Sequence, residues 1–86
     1  MINNKIFFAH RKNIDKIDSK IMKLLEKRFE SARKIGEYKK KTGIKLVDKK
    51  RENEILQDRI KNSRLSKDFT KKLFSVIIKE SKKVQK

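Results

Sequence analysis

The 86 residues carry a formal net charge of +16, with 44% charged and 35% hydrophobic side chains, which is the length of one small domain. Leu, Ile, Val and Phe fill 25 positions, too many for a disordered polycation. The lack of cysteine excludes a disulfide framework and thiolate metal sites, and the single histidine, His10, excludes clustered-histidine zinc patterns.

The longest early apolar run, Ile6 to Ala9, is too short for a signal peptide or a membrane span. A cytoplasmic protein with no membrane partner is therefore expected. The charge points to an anionic partner, but it does not by itself separate nucleic acid, an acidic membrane and a small polyanion. Lysine-rich usage can also follow a genome's base composition, so the position of each charge counts for more than the total.

From about Lys5 to Lys41 only Gly36 interrupts a helical pattern, and the sequence contains no proline. Ile14, Ile17, Ile21, Leu24, Leu25, Ala32 and Ile35 recur at the spacing of one helix face. Thr42-Gly43 should end this helix, because glycine is favoured just past a helix C-terminus. Lys39 to Lys41 suit the negative end of the helix dipole. Ile44 to Val47 reads as a short extended connection. Asp48 then looks like the N-cap of a second helix, from about Lys49 to Asn62, with Ile55, Leu56 and Ile60 on its apolar side. Ser66 caps a third, whose stripe is Phe69, Leu73, Phe74, Ile77, Ile78 and Val84. The expected fold is all-α, with one long, one short and one medium helix in a single domain over residues 1–86.

A helix of about 36 residues is roughly 54 Å long. The two shorter helices cannot cover it, so much of its apolar stripe would face water in a monomer. Pairing with a second long helix removes that exposure, and an intertwined helical homodimer is expected.

Several polar residues stand where core residues should be. Ile14, Ile21 and Ile35 are spaced by multiples of seven, and the missing member of the row is Arg28. Lys39 follows 11 residues later, about 20° round the helix from Arg28. Unpaired buried cations are costly, so an anion should meet them. One alternative is that Asp18, Glu26 or Glu30 reaches in to pair with them. In the third helix Leu73, Ile77, Ser81 and Gln85 are spaced by four, so two polar residues continue an apolar row, unless the stripe simply frays there. Glu52 lies three residues before Ile55 on the inward edge of the second helix, whereas Asp48 read alone is only a cap and Arg51 only a first-turn charge. Taken together, the inward cations, one acid and one amide describe a pocket for a small anion. A nucleic-acid groove would turn its cations outward.

The spacing carries a resemblance. Arg11-x-x-Ile14-Asp15-x-Ile17-Asp18, Leu24-Leu25-x-x-Arg28 and Gly36-x-x-Lys39 resemble the first helix of the all-helical, type II chorismate mutases. Asp48-x-x-Arg51-Glu52 and Ile77-Ile78-x-x-Ser81-x-x-x-Gln85 look like that family's second- and third-helix motifs. The likeness runs from about residue 8 to residue 85, in order. It implies an enzyme that rearranges chorismate to prephenate for phenylalanine and tyrosine synthesis, acting as an interlocked homodimer with two shared sites. Arg28 and Arg11 of the partner chain would grip the two carboxylates. Lys39 and Gln85 would bond the ether oxygen. Glu52 and the backbone at Asp48 would hold the ring hydroxyl, with Ser81 and Arg51 completing the carboxylate shell. The reaction is a one-step pericyclic shift, so no metal, nucleophile or redox cofactor is implied.

Three other readings compete. Isochorismate-pyruvate lyase shares the fold, but that branch typically lacks an acid at the position of Glu52 and a serine at that of Ser81; both are present here. A basic helical nucleic-acid-binding dimer would explain the surface lysines, including Lys39 to Lys41 and Lys82-Lys83, but not Arg28 or Gln85 on apolar stripes. Specific nucleic-acid binding is therefore not expected. A regulatory module of a fusion enzyme is the third.

Overall fold

A computed structural model describes residues 4–86 and holds three α-helices in chain order: α1, Asn4–Thr42; α2, Lys49–Lys61; and α3, Lys67–Gln85. The described residues include no strand. The all-α reading stands, with helix ends within a residue or so of those expected. α1 has 39 residues and sets the 65 Å long dimension of the chain, against 24 and 16 Å across.

Each boundary has a local cause. Gly43 takes φ +74°, the left-handed conformation that closes a helix. The Ile44 amide then donates back to the Lys39 carbonyl at 3.0 Å, satisfying one of the acceptors a helix end leaves free. Asp48 is extended, and its carboxylate accepts from the Arg51 amide at 3.0 Å, the N-cap bond of α2. Ser66 does the same for α3 through the Phe69 amide at 3.1 Å. The buried Thr70 hydroxyl donates to the Ser66 carbonyl at 2.9 Å, so this buried side chain keeps a hydrogen-bond partner.

α3 is the element that packs on both others, against α1 along one side and α2 along another. The buried apolar set is small: Ala32, Ile77 and Ile78. Gly36 is buried against the backbone of α3 at Gln85. A Cβ built there would stand 2.6 Å from the Gln85 Cα and carbonyl oxygen, inside any real contact distance. Only glycine allows this approach.

The described half of α1 before Leu25 buries no residue: every one from 4 to 24 is exposed. Ile6, Phe7, Phe8, Ile14, Ile17 and Ile21 stand about half exposed or more on that half. An apolar face of this extent is the exposure that a 39-residue helix with two short companions is bound to leave. Among the described residues no helix is long and apolar enough to cross a membrane.

Candidate active site

The packed end of the molecule frames a half-open cavity of about 280 Å³ lined by α1, α2 and α3. Helical spacing decides who lines it. α1 supplies Arg28, Ala32, Ile35 and Lys39, a row stepping by four, three and four. α2 supplies its cap Asp48 and then Arg51, Glu52, Ile55 and Arg59. α3 supplies Ile78, Ser81, Lys82 and Gln85, and Leu46 closes the α1–α2 connection. Aliphatic walls and a few convergent polar groups are the usual construction of a small-molecule site.

Arg28 is partly buried and donates from Nη1 to the Ser81 hydroxyl across the α1–α3 interface. Ser81 in turn donates to the Ile77 carbonyl at 2.8 Å, so its single proton is used and its oxygen is free to hold the guanidinium. The Lys39 ammonium donates to the Leu46 carbonyl at 3.1 Å, which spends one of its three protons. Among the described residues neither cation has a carboxylate partner: Glu30, one alternative partner, pairs with Arg33. Burial, and then the positive charges of Arg59 and Arg51, push the Arg28 guanidinium below its ordinary pKa. The charged form is therefore disfavoured by its surroundings, which is the setting a bound anion would reverse.

Five cationic side chains face the cavity, Arg28, Lys39, Arg51, Arg59 and Lys82, against two carboxylates, Asp48 and Glu52. Glu52 Oε1 accepts from Lys82 Nζ at 3.1 Å, whereas Glu52 Oε2 is buried without a hydrogen-bond partner. Gln85 Oε1 is likewise buried and unpartnered. Leaving such groups unpaired costs about 1–3 kcal/mol each, and a ligand that bonds to them recovers it. Gln85 is the last residue of α3 and lines the cavity.

Seven of the eight residues singled out from sequence meet here: Arg28, Lys39, Asp48, Arg51, Glu52, Ser81 and Gln85. Arg11 does not. It lies 17 residues before Arg28, about 25 Å along α1, with its guanidinium 4.2 Å from the centre of the Phe7 ring. Two lining cations escaped the sequence reading. Arg59 stands four residues after Ile55 and eight after Arg51, on the same face. Its guanidinium pairs with Asp58 and sits 5.7 Å from the Phe74 ring centre. Lys82 stands four after Ile78 and beside Lys83, where the sequence suggests surface charge; its side chain is only 33% exposed. A step of four from an inward isoleucine was the available signal in both cases.

A helical chain that lines a partly apolar cavity with five cations and leaves two buried acceptors unsatisfied has the polar groups of a site for a small anion that also carries a hydrogen-bond donor. The comparisons with known proteins make the class specific. Residues 10–86 match the family described as chorismate mutase type II, and the chain belongs to that family. It is also 38% identical over 80 residues to a protein of Methanocaldococcus jannaschii named chorismate mutase, a match spanning 88% of this chain and 80% of that one. No solved structure gives a significant match.

Proposed function

We propose that this cavity binds chorismate and rearranges it to prephenate, in the synthesis of phenylalanine and tyrosine. The observation that carries the reading is the meeting of Arg28, Lys39, Glu52 and Gln85, from three separate helices, around one cation-rich cavity. Chorismate is a dianion with a ring hydroxyl and an ether oxygen. Arg28, with Arg51 beside it, takes a carboxylate. Glu52 Oε2 accepts the hydroxyl proton. Lys39 and the Gln85 amide donate to the ether oxygen.

In the rearrangement the ether C–O bond breaks as a new C–C bond forms within the same molecule, with nothing gained or lost. Catalysis then has two sources. The first is holding the folded conformer in which the reacting ends meet. The second is a fixed cation where negative charge grows on the ether oxygen. Lys39 supplies that charge. Lys39→Ala is expected to lower kcat by a hundredfold or more, about 3–4 kcal/mol of barrier.

The site is completed by a second copy of the chain. Antiparallel pairing of two α1 helices covers the exposed face of Ile6, Phe7, Ile14, Ile17 and Ile21 and carries the partner's Arg11 to Arg28. Finishing the burial of each half-exposed aliphatic or aromatic side chain contributes about 1 kcal/mol. The stacking of Arg11 on Phe7 supports this by stiffening the side chain that has to reach across.

The test is direct. Purified protein is given chorismate, and loss of its absorbance is followed with the appearance of prephenate. One prephenate per chorismate is expected. No prephenate from chorismate, with pyruvate released when isochorismate is supplied in its place, would replace this reading with the lyase.

A further inference from the structure

Lys82 has no role in the chemistry above, yet it makes the bond that decides how Glu52 presents itself. The ion pairs Arg33–Glu30, Arg51–Glu54, Arg59–Asp58 and Lys72–Asp68 each stay within one helix, most of them well exposed. Lys82–Glu52 joins two helices, the end of α3 to the first turns of α2, with side chains 33% and 20% exposed. Water screens it less than the others, and the geometry is that of a charge-assisted hydrogen bond.

A carboxylate has two oxygens, and here they are treated differently. Oε1 is taken by Lys82 at 3.1 Å, and Oε2 is buried with nothing bonded to it. The bond therefore fixes one end of the carboxylate and leaves Oε2 as its one unbonded acceptor. It also offsets the negative charge of Glu52, which would otherwise repel a dianion.

We propose that Lys82 is a positioning residue for Glu52: it holds the carboxylate in one orientation through Oε1, leaving Oε2 for the substrate hydroxyl. The inference rests on the proposed chorismate site. It requires no contact between Lys82 and substrate, which separates it from a further carboxylate anchor.

The experiment is a double-mutant cycle on the intact protein, measuring kcat and KM for chorismate together with the melting temperature. The variants are Lys82→Met, Lys82→Arg, Glu52→Gln and the pair Lys82→Met with Glu52→Gln. Methionine keeps most of the aliphatic stem and removes only the charged donor. Lys82→Met is expected to lower kcat/KM about tenfold, the scale of one hydrogen bond to a charged group. Lys82→Arg should recover most of that loss, and in the Glu52→Gln background Lys82→Met should add little. Full additivity of the two changes would overturn the proposal, because Lys82 would then act on substrate by itself. So would an unchanged Lys82→Met, or a loss that follows melting temperature and is not rescued by arginine. A wild-type protein inert toward chorismate would overturn the proposed function and this inference with it. An active wild type with an indifferent Lys82→Met would overturn the inference alone.

Discussion

Gln85 presents an amide where a carboxyl of nearly the same shape would fit, and the difference between them is a proton. The amide donates at any pH near neutrality, whereas a carboxyl donates only when protonated and repels the ether oxygen's growing charge when ionised. The rate should therefore be nearly flat from about pH 6 to 8, where arginine and lysine stay charged. Gln85→Glu should lose activity at neutral pH and regain it in acid; superimposable pH profiles for the two proteins would remove Gln85 from the chemistry. Arg28 does not change this window. Its depressed pKa comes from burial, Arg59 and Arg51, and the charged form persists throughout. The sign of that shift matters for stability instead. A cation whose pKa is lowered by folding opposes folding while it is charged, so a bound dianion should raise the melting temperature.

At the scale of elements, two glycines separate two kinds of necessity. Gly36→Ala adds a favourable helix former, worth about 1 kcal/mol in α1. It also drives a methyl into the Gln85 backbone at 2.6 Å. Main chain cannot swing aside, so the clash should win, destabilising the fold by about 1–3 kcal/mol and shifting Gln85 enough to lower kcat. Gly43→Ala meets open space but a φ of +74°, so it should cost about 1 kcal/mol of stability and leave kcat unchanged. Thermal unfolding at fixed protein concentration, with kcat alongside, separates them; an active, fully stable Gly36→Ala would contradict the packing described.

The helices and their caps were legible because their causes are local: a period, a glycine, an aspartate, a serine. Arg28, Ser81 and Gln85 were legible because they interrupt a periodic apolar row. Lys82 and Arg59 were not, because a lysine beside a lysine and an arginine beside an aspartate look like ordinary surface until the partner helix is in place. The contact of Gly36 with Gln85 joins residues 49 apart in sequence, and no local rule reports it.

At the scale of the whole molecule, the +16 charge exceeds what one cavity uses, and most of the lysines are exposed outside it. Binding to nucleic acid should be weak, indifferent to sequence and steeply lowered by salt, since its source is counterion release and not base contacts. A titration at about 50 and 150 mM salt checks this through the slope. Tight, sequence-specific binding at the higher salt, uncontested by chorismate, would favour the nucleic-acid reading over the enzyme.

The central claim is a chorismate site built from two chains, and subunit mixing tests it most directly. Arg11→Ala and Lys39→Ala are each expected to be nearly inactive alone. In a heterodimer one of the two sites would carry both mutations and the other would regain wild-type Arg11 and Lys39. Mixing the two variants under conditions of demonstrated subunit exchange should therefore restore prephenate formation, approaching half the wild-type rate per heterodimer. No recovery, with exchange proven, would contradict a site shared between chains.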